Sequence, residues 1–176
     1  KFRKDVEIFS FEPADCTGQA MEKTISKNKI ANVHIIKKGV SDKSQENASF
    51  FIDSKSSGGN SLLESAINQD DVEASMKISL TSLDDFIKST SKIPSLVKVD
   101  VQDAERFVIN GAKELISKYH PTFIVEVNNE ILLNDPSPFL ENFKGYEVYK
   151  AGTDKKVSIE EFPTLAKEYL TQKQKV

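Results

Sequence analysis

Carboxylates and amides gather where this chain would end its strands. Glu12 follows Ile8-Phe9-Ser10-Phe11, and Ser41-Asp42 follows Gly39-Val40. Asp100 and Gln102 follow Leu96-Val97-Lys98-Val99, while Glu126 and Asn128 close the run Thr122-Phe123-Ile124-Val125. Open parallel sheets bind ligands beyond the carboxyl ends of their strands, so four polar strand ends on one edge describe a candidate site. A purely structural core requires no such bias. Glu12 is the sharpest residue, because an acid there can accept hydrogen bonds from both hydroxyls of a ribose. An exposed turn before Pro13 would read the same way. The segment Lys98-Val99-Asp100-Val101-Gln102-Asp103-Ala104-Glu105 is the densest charged cluster. Strand alternation puts Lys98 and Asp100 on one side, where they either pair or line a cleft. Glu105 falls in the first turn of the next helix, where the helix dipole favours a carboxylate with or without chemistry.

Other chemistries find less support. His34 and His120 have no second histidine or cysteine at ligand spacing, so no metal site is expected. Cys16 is the only cysteine and reads as a small core residue; a chain without a disulfide fits a reducing, cytoplasmic setting. Neither a Gly-x-Ser-x-Gly elbow nor a phosphate-binding Gly-Lys-Ser/Thr loop occurs. The formal net charge of −3, from 27 acidic and 24 basic side chains, argues against nucleic acid as a partner. No apolar run approaches the ~20 residues that span a bilayer, so no membrane partner is expected. The lysine-rich stretch 167–175 reads as a solvated helix end. Oligomeric state is left open.

The elements that must position these groups follow from periodicity. Residues 6–11 are β-branched and aromatic and read as a strand, which Pro13 terminates. Ala20, Met21, Thr24 and Ile25 recur at helical spacing within 17–28, and Val33-His34-Ile35-Ile36 reads as a second strand. Residues 41–60 are rich in Ser, Lys, Asn and Gly around one short strand at 48–52, with 76–80 its potential hairpin partner. Thr81-Ser82-Leu83-Asp84-Asp85 is a capped helix start. A strand at 96–100, a helix over 104–118 and a strand at 122–127 restore the α/β rhythm. A helix over 136–143, a strand at 146–150 and a closing helix at 159–172 complete the expectation. At 176 residues this is one α/β domain spanning 1–176.

Five stretches in order resemble the FkbM family of methyltransferases, over residues 6–127. They are Phe9-Ser10-Phe11-Glu12-Pro13; Gly39-Val40-Ser41-Asp42; Gly59-Asn60-Ser61-Leu62; Leu83-Asp84-Asp85-Phe86; and 97–105 with Gly111-Ala112, completed by Pro121 to Val127. The resemblance implies a Rossmann-like class I methyltransferase fold, a mostly parallel sheet with helices on both faces, and S-adenosylmethionine as cofactor. It would place Glu12 on the ribose, Ser41 and Asp42 on the adenine side, and 98–105 near the methionine end and the acceptor. O-methylation of a sugar or small natural product is the reaction it implies. The family usually has glycine at the place of Asp103, and a backbone geometry that wants glycine there would cost an aspartate roughly 1 kcal/mol or more unless the turn adapts. The family also begins with a strand and a glycine-rich loop, which would lie mid-sheet between the strands ending at Glu12 and Asp100. Upstream sequence is therefore expected in the natural protein, with the first strand missing from this chain.

For methyl transfer, Asp100 or Glu105 is the candidate base, with Lys98 orienting the acceptor or setting the carboxylate's charge. Two other readings stand beside it. One is a catalytically inactive methyltransferase-like binding module; the other is a nicotinamide oxidoreductase, which Glu12 would serve equally well but which lacks a Gly-x-Gly-x-x-Gly.

Overall fold

A computed structural model describes residues 5–56, 59–126, 135–158 and 161. Its elements run β1 (Ile8–Phe11), α1 (Asp15–Lys27), β2 (Val33–Ile36), β3 (Gly39–Val40), β4 (Gln45–Asp53), β5 (Val72–Thr81) and α2 (Leu83–Thr90). They continue through β6 (Leu96–Val99), α3 (Glu105–Asn110), α4 (Lys113–Tyr119), β7 (Thr122–Val125) and α5 (Ser137–Leu140). Strands joined through a helix pair in parallel: β1 with β2, Ile8 opposite Val33, and β6 with β7, Leu96 opposite Thr122. Parallel neighbours need such a crossover connection, which α1 supplies in the first case and α3 with α4 in the second. Strand β3 lies parallel to β5, and β4 and β5 form the antiparallel hairpin expected from 48–52 and 76–80. The hairpin is longer than its sequence suggested, and its register slips between Gln45 and Ala48, where Asn47 takes a φ of 57°. Among the described residues β1 pairs only with β2 and β6 only with β7. The two strand pairs that the resemblance sets on either side of a further strand are thus not joined to each other.

Two apolar clusters hold the elements. The larger joins α2, β6, α3, α4 and α5 through Leu83, Val99, Val108, Ile109, Leu115 and Phe139, with Phe11 and Val40 packed against it. The smaller is built on the hairpin from Ala48, Phe50, Ile78 and Leu80 with Ala14. Phe86 of α2 meets Phe9 and Phe11 of β1 edge-on, at 5.4 and 5.1 Å between ring centroids, which ties β1 to the larger cluster.

The helix expected over 104–118 is two helices, with a break at Gly111-Ala112. The reason is a remote cap. The carboxylate of Asp84 accepts from the N–H groups of both Glu114 and Leu115 at 2.9 Å, satisfying the first-turn donors that a fresh helix start exposes. The Asp84 N–H donates in turn to the Gly111 carbonyl at 2.9 Å. A Cβ on Gly111 would lie 2.2 Å from the Ser41 carbonyl oxygen and 3.1 Å from Asp42 Cα, so only glycine lets the 41–42 loop approach this closely. Asp85 has a different partner: its N–H donates to Ser82 Oγ at 3.0 Å, the expected N-cap of α2, and its carboxylate accepts from Ser44 Oγ at 2.6 Å.

Other expectations need correction. Cys16 is exposed on α1 rather than packed in the core, because the buried position of that helix falls to Gly18. Residues 146–150 form no strand; they contribute a single bridge, Tyr149 to Lys156. Strand β1 begins at Ile8, with Val6 exposed before it. Asn128 and the helix expected at 159–172 lie outside the described residues, save for Glu161. No helix among the described residues is long and apolar enough to cross a membrane.

Candidate active site

Beyond the carboxyl ends of β1 and β6 lies a cavity of about 270 Å³. Phe11, Glu12 and Pro13 line it from β1, and Asp100, Val101 and Gln102 from β6. Gly39 and Val40 enter from β3, and Phe50, Asn60 and Leu62 from the hairpin and its return. The wall therefore takes apolar groups associated with both clusters and adds two carboxylates and two amides. The lining thus mixes polar and apolar surface about evenly, and small-molecule sites combine apolar surface with convergent polar groups.

The expectations for Glu12 and Asp100 meet here. Pro13 ends the ladder after β1, and the Ala14 N–H donates to Glu12 Oε1 at 2.8 Å, which fixes the side chain at the start of α1. Lys98 Nζ donates to Asp100 Oδ2 at 2.6 Å, and Gln102 Nε2 approaches Asp100 Oδ1 at 3.4 Å. Both alternatives from alternation are thus realised, since Lys98 and Asp100 pair and Asp100 also faces the cavity. The Lys98 ammonium is the main reason that the Asp100 carboxyl sits below its ordinary value, ahead of its hydrogen bond with Glu126. Lys98 itself is exposed and is not part of the wall.

Glu105 is placed differently. It is only 1% exposed, beneath the turn after β6, with Oε1 accepting from the Val101 N–H at 3.3 Å and Oε2 unmatched. Burial raises its pKa, with the Asp103 charge adding to the effect. It braces the wall but does not line it. Ser41 and Asp42 also stand back from the cavity: Ser41 is buried, donates from Oγ to Asp42 Oδ1 at 3.2 Å, and abuts Gly111. Their neighbours Gly39 and Val40 form the wall instead.

The turn itself is unusual. Gln102 and Asp103 take φ values of 48° and 70°, consecutive left-handed residues without a glycine. Each such residue costs about 1–3 kcal/mol and persists only where its surroundings over-determine it. The turn has therefore not adapted to the aspartate: Asp103 keeps a left-handed backbone of the kind glycine favours. Gln102, expected as a polar strand end, lines the cavity, whereas sequence reasoning did not assign Phe50, Asn60 or Leu62 to the site. Gly59-Asn60-Ser61-Leu62 was visible as a motif, but only the hairpin's long return brings it beside β6. Among the described residues, no group of three or more His, Cys, Asp or Glu side chains is arranged to hold a metal ion.

A crystal structure of the methyltransferase FkbM from Methylobacillus flagellatus KT superposes with a TM-score of 0.55 at 13% identity. The alignment covers 80% of this chain and 31% of that one, so the chain spans about a third of that protein's length. At such identity the likeness shows the fold alone, which is Rossmann-like α/β as the sequence implied. Among curated proteins none matches the chain. Residues 3–170 match the methyltransferase FkbM domain, nearly the whole sequence, and the chain belongs to that family.

Proposed function

We propose that this chain acts as an S-adenosylmethionine-dependent methyltransferase that methylates a hydroxyl of a sugar or small natural product. The observation that carries the proposal is the convergence of Glu12 and Asp100, from two separate parallel strand pairs, on one cavity of mixed polar and apolar lining. That donor set suits the cofactor. Phe50, Leu62 and Val40 offer apolar surface for an aromatic base, and Glu12 offers a carboxylate for ribose hydroxyls. Two carboxylates on the wall also favour a sulfonium cation. At about 270 Å³ the cavity is just below the ~300–1,000 Å³ of drug-sized sites, a size that suits the nucleoside half better than the whole molecule.

When bound, S-adenosylmethionine supplies an electrophilic methyl group. The residues' own work is to hold an acceptor hydroxyl in line and to receive its proton. Asp100 is the candidate acceptor of that proton, since it faces the cavity while Glu105 is sealed beneath the turn. Lys98 holds Asp100 ionised, which makes it a weak base. A weak base is adequate because a hydroxyl becomes strongly acidic as its oxygen bonds to carbon. Lys98 thus sets the charge state of Asp100, and Glu105 supports the segment that carries it. The cytoplasmic setting is part of the same proposal and rests on the single, unpaired cysteine.

Calorimetric titration with S-adenosylhomocysteine, the product expected from the donor, tests the reading. Micromolar binding that Glu12→Ala weakens at least about tenfold would support it, the loss expected for charge-assisted bonds to two hydroxyls. A folded chain that binds no S-adenosylhomocysteine would overturn it. An Asp100→Ala variant that still binds S-adenosylhomocysteine and retains full turnover would remove the assignment of the base.

A further inference from the structure

Ser61 sits in the most glycine-rich motif of the sequence, on the return of the hairpin, and is only 1% exposed. Its backbone pairs with Phe51 in both directions, Phe51 N–H to Ser61 O at 2.8 Å and Ser61 N–H to Phe51 O at 3.1 Å. With its main chain committed to the hairpin, the hydroxyl points away from it. Ser61 Oγ donates to the Gln102 carbonyl at 2.7 Å, across 41 residues of sequence, and accepts from the Leu63 N–H at 3.0 Å. Its neighbour Asn60 is fixed in the same way, with Oδ1 accepting from the Asp53 N–H at 3.0 Å.

We propose that Ser61 is a positioning residue: its buried hydroxyl latches the hairpin to the left-handed turn after β6 and so holds Asp100 and Gln102 against the cavity. The inference rests on the cofactor-binding reading of that cavity and deepens it. The turn needs such a latch because Gln102 and Asp103 both occupy a backbone region that side chains disfavour. Glu105 holds the turn from below through the Val101 N–H, and Ser61 holds it from the side through the Gln102 carbonyl. Phe50, Asn60 and Leu62 on the hairpin side of the latch face Asp100, Val101 and Gln102 on the other, so the bond also sets the width of the cavity. A hydroxyl buried in this way must be hydrogen-bonded, which fixes the direction of the pull.

The test compares wild type with Ser61→Ala, alone and combined with Asp103→Gly, which makes the turn's conformation accessible without a latch. Amide hydrogen exchange at Val101 and Ala104 reads the turn directly, and calorimetry with S-adenosylhomocysteine reads the cavity. Ser61→Ala should speed exchange and weaken binding, each by roughly five- to tenfold, as expected for one buried hydrogen bond. Adding Asp103→Gly should restore the affinity. A role in stability alone would lower the melting temperature of Ser61→Ala without changing affinity, and that result overturns the proposal. Unchanged exchange at Val101 and Ala104 overturns it as well, as does an affinity loss that glycine at 103 does not recover. Wild type that binds no S-adenosylhomocysteine removes the reading of the cavity and the positioning role with it, while exchange still reports whether the latch exists.

Discussion

Gly111→Ala should destabilise this fold although alanine normally improves on glycine. The backbone at Gly111, φ −84° and ψ 6°, is open to any residue, so no conformational strain opposes the change. Elsewhere such a substitution gains about 0.4–1 kcal/mol by restricting the unfolded chain. Here the new methyl would sit 2.2 Å from the Ser41 carbonyl oxygen and 3.0 Å from Ser82 Cβ. Backbone must therefore move by about 1 Å to restore ordinary contact, and overpacking of that kind costs about 1–3 kcal/mol. The displaced groups carry hydrogen bonds, Ser41 N–H to Thr81 O and Asp84 N–H to Gly111 O, each worth about 1 kcal/mol. The balance is a loss of about 2–4 kcal/mol, or about 5–12 °C in melting temperature for a domain of this size. Urea unfolding followed by circular dichroism measures it. A Gly111→Ala protein as stable as wild type would refute the argument from close approach.

Gly18→Ala supplies the contrast: it lies inside α1 with its nearest prospective contact at 3.9 Å, and it should gain about 0.5–1 kcal/mol in the same assay. Asp84→Ala removes both first-turn acceptors of α4 and should cost about 1–2 kcal/mol, with Asp84→Asn recovering part of the loss. Glu105→Gln tests the buried acid through pH. A pKa raised above the ordinary 4.5 means that the folded chain binds the proton more tightly than the unfolded one. Wild-type stability should then be full below that value and fall as pH rises through the folded pKa. Glutamine keeps an oxygen for the Val101 N–H but has no charge, so the variant should gain on wild type as pH rises from 4 to 8. Parallel stability profiles across that range would exclude a buried, ionising Glu105.

Much of the fold was legible because its signals are local. Pro13 stops β1, Ser82 caps α2, and the apolar runs at 96–99 and 122–125 become the parallel pair β6 and β7. The break within 104–118 was hidden, because an aspartate 30 residues upstream of Glu114 causes it and the helical periodicity passes through undisturbed. The site followed the same division. Glu12 and Asp100 were legible as polar strand ends, whereas Phe50, Asn60 and Leu62 reach the cavity only through the tertiary position of the hairpin. Burial was the least legible property. Glu105 and Ser41 look like surface polar residues in sequence, yet both are enclosed by helices and loops that neither one's neighbours announce.

The adjacent pair Asp84 and Asp85 bears on how variant libraries of this family should be interpreted. One carboxylate starts α4, and the other accepts from Ser44 across the 41–44 loop, so two neighbouring residues join three separate parts of the chain. Neither is on the cavity wall. In a selection for growth their substitutions would be counted beside those of Glu12 and Asp100, since all four would score as loss of function. A paired measurement of cellular abundance separates them: variants at 84 and 85 deplete the protein, while variants at 12 and 100 leave its amount intact and impair each remaining molecule.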